Sequence, residues 1–241
     1  MIIYNNNMDE NLKEIEEIKR RYETREKKSW RYNIVDPWMF KSEQEKEIAI
    51  IKWIKTCSIL PLEEIKLLEI GCGNGGNLLQ FLRLGFSPEN LIGNELLEER
   101  FIASRNKLPE KLKLIQGNAL DLNFETLQFN VVFQSMVFSS ILDEKFKLQL
   151  AKTMWGWVKE GGGILWYDFI YNNPWNKDVK GISYNKVKEY FPKGSNKKWK
   201  ITLAPPLSRV VTKIHPSFYN ILNLFPFLRT HILCWIQKKD K

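Results

Sequence analysis

An α/β fold with a mostly parallel sheet is predicted for this chain by three observations. A short apolar run, Leu67-Leu-Glu-Ile70, breaks into Gly71, Gly73, Gly75 and Gly76, and a helical stretch from Asn77 to Leu84 follows, stopped by Gly85. Apolar runs then alternate with helical segments as far as Phe169, the pattern of successive strand–helix–strand units. Hydrophobic residues make up 44% of the 241, enough for the full core of one such domain with elaborations.

The elements follow in order. Residues 9–28 read as a charged amphipathic helix with Leu12, Ile15, Ile18 and Tyr22 on one stripe. An aromatic, turn-like stretch from Trp30 to Phe40 leads to Ser42-Glu-Gln-Glu45, a capping box that opens a second helix with Ile48, Ile51 and Ile54 inward. Strands are expected at 67–70, 91–95, 112–117, 129–138 and 164–169. A helix from Asp143 to Val158, with Phe146, Leu150, Met154 and Trp157 on one face, precedes the fifth strand and ends at Gly161-Gly-Gly163. A helix at 183–190 and strands at 198–203 and 231–236 complete a set of seven strands. The expected division is an N-terminal helical cap over residues 1–44 and a main domain over 45–241, with a lid-like insertion at 204–230 between the last two strands. Long connections in compact domains are more often functional than idle; the plainer alternatives are a helix padding the sheet edge or part of a dimer interface.

A strand that turns through glycines into a helix lets a ligand approach the backbone beside unpaired N–H groups, which marks a nucleotide-type cofactor site. The spacing alone is ambiguous. Gly71, Gly73 and Gly76 satisfy the dinucleotide pattern, while Gly71, Gly73 and Gly75 satisfy a G-x-G-x-G loop. Glu69 separates the two, because a carboxylate before the loop repels a pyrophosphate and welcomes a cofactor bearing ammonium and sulfonium. About 20 residues on, Leu91-Ile-Gly-Asn-Glu95 ends in an acid placed to take both ribose hydroxyls.

Residues 69–75, Glu-Ile-Gly-Cys-Gly-Asn-Gly, match the E/D-x-G-x-G-x-G motif, and the chain thereby resembles the class I S-adenosylmethionine-dependent methyltransferases. The resemblance covers residues 45–171 strongly and the remainder loosely. It implies a Rossmann-like, seven-stranded, mostly parallel sheet flanked by helices, and S-adenosyl-L-methionine as cofactor. It implies that Gly71, Cys72, Gly73, Gly75 and Asn77 pack on the methionine portion, that Glu69 orients its amino group, and that Glu95 with Leu96 holds the ribose. Gly117-Asn118-Ala-Leu-Asp121 resembles the segment beside the adenine, which assigns Asn118 and Ala119 to that end although the family carries an acid where Asn118 stands. Gln134, leaving the fourth strand, is assigned to the methionine end. N-terminal segments often cap the pocket in this family, which makes Tyr32 and Trp38 candidates. A looser similarity, at Trp166–Pro174 and Leu203–Arg209, is to methyltransferases of bacterial surface-polysaccharide clusters.

Charge and cysteine usage bound the partners. The net charge of +9 is uneven: residues 171–241 hold 14 Lys and Arg against 3 Asp and Glu, a net of +11, and the rest sums to −2. Such a field favours an anionic acceptor, either a small molecule, sugar or glycan or, less expected, RNA; a solvated lysine-rich surface is the plainer alternative. Three scattered cysteines argue against a disulfide framework or a zinc site, no metal is expected, and a cytoplasmic protein follows. The apolar stretch at 218–228 is broken by Asn and Pro and falls short of the ~20 residues needed to span a bilayer, although peripheral membrane contact stays open.

Methyl transfer is an in-line displacement that requires alignment and exclusion of water, with a base if the acceptor is a hydroxyl. His215 in the insertion and Asp168 at the end of the fifth strand are the base candidates; Tyr171, Asn172 and Arg209 are expected to contact substrate. The fourth strand runs into Gln134-Ser-Met-Val137, unlike the Asn-Pro-Pro-Tyr tetrapeptide of enzymes that methylate base amines. The expected activity is therefore an O-methyltransferase acting on a small-molecule, sugar or glycan acceptor. The alternatives are an RNA methyltransferase and a non-catalytic cofactor-binding subunit.

Overall fold

The computed structural model describes residues 2–26, 33–174 and 176–239. It contains one seven-stranded sheet in the order β3-β2-β1-β4-β5-β7-β6. The strands are β1 (Leu67–Ile70), β2 (Leu91–Glu95), β3 (Lys113–Gln116), β4 (Phe129–Ser135), β5 (Val158–Phe169), β6 (Gly194–Leu203) and β7 (Arg229–Lys238). The first five are mutually parallel, and β7 runs antiparallel to both β5 and β6. β6 therefore points the same way as β1, which brings the end of β6 and the start of β7 to the sheet end where β1, β2 and β4 finish.

Among the described residues eight α-helices surround it: α1 (Ile2–Glu26), α2 (Pro37–Thr56), α3 (Gly76–Leu84), α4 (Glu98–Arg105), α5 (Glu144–Trp157), α6 (Tyr184–Tyr190), α7 (Pro205–Ile214) and α8 (Ser217–Asn223). Alternating strand residues divide the core, as the two-residue side-chain period requires. Leu68, Val132, Ile164 and Trp166 meet α1, α5 and α6 on one face; Leu67, Val131, Leu165 and Trp235 meet α2 and α3 on the other.

Two local expectations are corrected. No capping box opens α2: the helix begins at Pro37 behind Asp36, and Ser42 lies buried in its interior with Oγ donating to the Trp38 carbonyl at 2.9 Å. Two start signals competed, and proline at the first helical position, with φ preset and no N–H to satisfy, prevailed. Nor do the glycines at 161–163 terminate the preceding helix. They lie within β5, where a Cβ on Gly162 would come within 2.5 Å of the Asn130 carbonyl and one on Gly163 within 2.7 Å of the Trp235 ring, so neighbouring strands could not approach. The 204–230 connection holds two helices, α7 and α8. They rest on α2 and β6, and Tyr219 pins them there, its hydroxyl bonded to Glu45 Oε2 at 2.7 Å and accepting from Leu203 N–H at 3.3 Å. Tyr32 lies outside the described residues.

Candidate active site

The turn from β1 into α3 is built on left-handed backbone, with φ of +67° at Gly71, +55° at Gly73 and +79° at Gly75. A side chain at Gly71 would strike Val137 Cγ2 at 2.6 Å, whereas a Cβ at Gly73 would meet nothing within 4 Å. Gly71 thus admits the close passage of another turn, and Gly73 keeps a surface open. A cavity of about 260 Å³ lies over this turn. Its floor is Gly71, Cys72, Gly73 and Asn77; one flank is Glu95, Leu96, Leu97 and Arg100 after β2; Asn118 and Ala119 form the far end, and Ser135, Met136 and Val137 after β4 the other flank. A larger open depression of about 560 Å³ beside β3, lined by Lys66, Lys113, Asp121 and Glu125, touches neither the glycine turn nor Glu95.

Two acids flank the glycine turn: Glu95 lines the cavity, and Glu69 lies buried behind its floor, bonded to the lining residue Asn77. Glu95 accepts from Gly73 N–H at 2.7 Å on one oxygen and from Leu97 N–H at 2.9 Å on the other, which locks its carboxyl at the mouth of the turn; burial raises its pKa, opposed by those amide bonds. Glu69 is fully buried. Its Oε1 accepts from Asn77 Nδ2 at 2.6 Å, and its Oε2 has no partner within the protein. Burial pushes Glu69 up to about 8, against the bond from Asn77 and the charge of Lys46. A buried carboxylate oxygen with unspent acceptor capacity calls for a cationic donor. At the far end Asn118 spends its Oδ1 on Leu120 N–H at 3.1 Å, capping a short 3-10 turn. An acid beside an open glycine turn, a second acid one strand over and an amide at the far end fit S-adenosylmethionine: an ammonium toward Glu69, ribose hydroxyls toward Glu95, adenine toward Asn118 and Ala119.

Not every expected residue joins them. Gly75 is the N-cap of α3 and packs against Leu108, a Cβ there falling 2.9 Å from Leu108 Cδ1. Gln134 is buried behind the wall, accepting from Val137 N–H at 3.0 Å and donating to the Tyr167 carbonyl at 3.3 Å, so it shapes the turn instead of lining the cavity. Asp168 is buried beside that turn, accepting from Ser139 N–H at 3.1 Å and Phe169 N–H at 3.0 Å, and burial lifts it to about 7. Tyr171, Asn172, Arg209 and His215 lie outside the cavity lining. Tyr171 is exposed, its hydroxyl accepting from Lys200 Nζ at 3.1 Å; Asn172 accepts from Gly181 N–H at 3.0 Å; Arg209 covers the Trp38 ring at 4.5 Å; and exposed His215 accepts from Ser217 N–H at 3.2 Å through Nδ1. Trp38 thus packs under α7, away from the cavity. His231, the second histidine, stacks on Tyr167 with ring centroids 5.3 Å apart, and burial lowers its pKa to about 3.

The cavity also has a roof that spacing did not assign to it. Ile15, Ile18 and Tyr22 of α1 close it together with Phe146 and Leu150 of α5. Tyr22 is held between the guanidinium groups of Arg25 and Arg100, at 4.7 and 4.5 Å from its ring, and donates to Ser140 Oγ at 3.1 Å. Arg21, paired with Glu14 at 2.7 Å, donates to the Ser140 carbonyl at 3.3 Å. The helical stripe of α1 was the available signal; its docking site was not. Met136, with φ of +63°, is a strained position that no sequence pattern marks.

Comparisons with known proteins agree with this geometry. The family model described as a methyltransferase domain matches residues 67–162. Among curated proteins, a sterol 24-C-methyltransferase of Debaryomyces hansenii is 26% identical over 142 residues, which is 54% of this chain and 36% of that protein. The chain thus spans about a third of that relative's length. Solved structures share the fold: a SAM-dependent methyltransferase from Archaeoglobus fulgidus (TM-score 0.57, 13% identity, 83% of this chain and 99% of that one) and the PH0226 protein of Pyrococcus horikoshii (TM-score 0.59, 14% identity, 86% and 95%). Residues 67–162 match a methyltransferase domain, and the glycine turn, paired acids and sheet order around them are similar to those of the class I S-adenosylmethionine-dependent methyltransferases.

Proposed function

We propose that this is a cytoplasmic enzyme that methylates a hydroxyl oxygen of an anionic small-molecule, sugar or glycan acceptor. The observation that carries the reading is an electrostatic contrast at one end of the sheet. Acids Glu69 and Glu95 serve the cofactor side, while Lys177, Lys180 and Lys213 are exposed on segments that follow β5 and β6. Free Cys57, Cys72 and Cys234 support a reducing compartment.

When bound, the cofactor supplies an electrophilic methyl on a sulfonium. The chain's residues bind, orient and exclude water. Glu69 would hold the ammonium and Glu95 the ribose of the cofactor, and the apolar roof of Ile15, Ile18, Phe146 and Leu150 keeps solvent from a charge that reacts faster when desolvated. Asp168 and His215 stay the two base candidates of this proposal. Asp168 is buried and accepts from the Ser139 and Phe169 N–H groups, holding Ser139, the neighbour of Ser140 in the cavity wall. His215 instead spends Nδ1 on the α7–α8 junction. Tyr171, Asn172 and Arg209 remain the acceptor contacts of this proposal, with Lys200 as a cation bonded to Tyr171.

The test is transfer of isotope-labelled methyl to matched pairs of acidic and neutral sugars, nucleotide sugars and glycans, with RNA and a sterol as further arms. Oxygen methylation of the acidic members, weakened by salt, is the expected result. Label in RNA or on a sterol carbon would overturn the acceptor assignment, and cofactor binding with no turnover on any arm would favour a non-catalytic subunit.

A further inference from the structure

The insertion between β6 and β7 wears its amphipathicity inside out. Along α7 the buried residues are small hydroxyls, Ser208 and Thr212, which spend their Oγ atoms on the Pro205 and Ser208 carbonyls at 3.1 and 2.7 Å. Val210 and Ile214 on the same helix are 61% and 71% exposed. In α8 Tyr219 is buried, while Phe218, Ile221 and the following Leu224 face solvent. Phe225 and Phe227 extend the surface, their rings 5.8 Å apart and Phe227 73% exposed. A helix on a protein surface normally buries its branched side chains and shows its hydroxyls; so many exposed apolar side chains within residues 210–227 mark an interaction surface.

The charge around it selects the partner. Exposed Lys177 and Lys180 follow β5 at the same end of the sheet, Lys213 is exposed on α7 itself, and residues 171–241 together hold 14 Lys and Arg against 3 Asp and Glu. A second copy of the chain would bring like charge against like charge. RNA would use the lysines but gain nothing from Ile214, Ile221 and Leu224. Aliphatic and aromatic side chains on an insertion that carries Lys213, at a sheet end that also carries Lys177 and Lys180, match the headgroup–acyl boundary of an anionic bilayer.

We propose that the α7–α8 face docks on the surface of an anionic phospholipid membrane, with residues 218–227 entering the interface and Lys177, Lys180 and Lys213 meeting lipid phosphates. Among the described residues no helix is long and apolar enough to cross a membrane, so the contact is peripheral. β6 and β7 meet the insertion at the end of the sheet that carries the cofactor cavity, so docking turns that end toward the lipid.

The test is co-sedimentation of the full chain with vesicles of phosphatidylcholine alone and of phosphatidylcholine mixed with phosphatidylglycerol, at low and high salt. Binding to the mixed vesicles alone is expected, weakened by salt and by roughly tenfold or more in each of two double variants, Leu224→Ser with Phe227→Ser and Lys177→Glu with Lys180→Glu. Affinity for S-adenosylhomocysteine should stay unchanged in both, which separates this proposal from folding and from the cofactor assignment. Absence of binding to the mixed vesicles, or equal binding by the variants, would overturn it. So would a wild-type dimer in light scattering that the Leu224/Phe227 variant dissociates, or RNA retention lost only in the lysine variant.

Discussion

The two halves of the sheet treat their side chains in opposite ways. Around β1 to β4 apolar residues point inward, and the polar groups that are buried, Glu69, Glu95 and Gln134, are tied to named partners within a few residues of the cavity. Across β6 and β7 the insertion buries Ser208 and Thr212 and shows Val210, Ile214, Leu224 and Phe227 to solvent. The first half is organised around a ligand held within its own turns; the second is organised toward something outside the chain. Burial of acids on one side and exposure of aliphatics on the other are each costly for stability alone, so each marks a surface kept for binding.

The glycine turn offers the sharpest way to break the first half. Gly73→Leu meets open space, so it should cost only the strain of a left-handed φ, about 1–2 kcal/mol, and should reduce S-adenosylhomocysteine binding beyond detection in calorimetry. Gly71→Ala carries the same backbone strain and adds the collision with Val137, so its loss of stability, visible as a lowered urea midpoint, should be the larger and its loss of affinity the smaller. Equal losses of affinity and stability in the two variants would remove the distinction between a cofactor-facing and a packing glycine. Next in size, Glu95→Ala should weaken cofactor binding roughly 10- to 100-fold, the scale of charge-assisted hydrogen bonds lost.

What could be read beforehand depended on how local each signal is. The placement of Glu69, the glycines and Glu95 around one turn was legible because it is set by spacing along one strand–helix–strand unit. The roof was not: Ile15, Ile18 and Tyr22 were visible as a helical stripe, yet a stripe does not say what it covers, and the bonds from Arg21 and Tyr22 to Ser140 span more than a hundred residues. Gly161 to Gly163 misled for a related reason. A glycine run reads as a stop until the neighbouring strands that demand it are known. The start of α2 turned on competition between Pro37 and Ser42, and the burial of Asp168 on a hydrogen bond from Ser139, 29 residues earlier in the chain.

Glu69 supplies a test of the buried acids through pH. Its folded pKa, about 8, lies above its ordinary value of 4.5, so the folded chain holds a proton that the unfolded chain releases. Its contribution to stability is complete below about pH 4.5 and is lost as pH rises through about 8. Glu69→Gln, which keeps shape and cannot ionise, should flatten that decline, with a difference on the order of 2–4 kcal/mol between acid and alkaline ends in urea titrations. It should also weaken S-adenosylmethionine above pH 8, where the wild-type carboxylate is charged. Parallel pH profiles for variant and wild type would show that Glu69 does not carry the proton.

The smallest effects test the second half, and their contrast matters more than their size. Tyr219 is the side chain of α8 that reaches inward: its hydroxyl lies 2.7 Å from Glu45 and accepts from the Leu203 N–H at the end of β6. Tyr219→Phe keeps the ring and orphans the amide and the carboxylate, which should cost about 1–3 kcal/mol. Phe227→Ser removes a larger apolar surface but one already in water, so stability should change by no more than about 0.5 kcal/mol. A hydroxyl would then outweigh a whole aromatic ring in the same insertion, the signature of a face that contributes to binding and not to folding. Were Phe227→Ser the more damaging of the two by urea midpoint, the aromatic would belong to the core of the isolated chain and the outward orientation of α7 and α8 would lose its meaning.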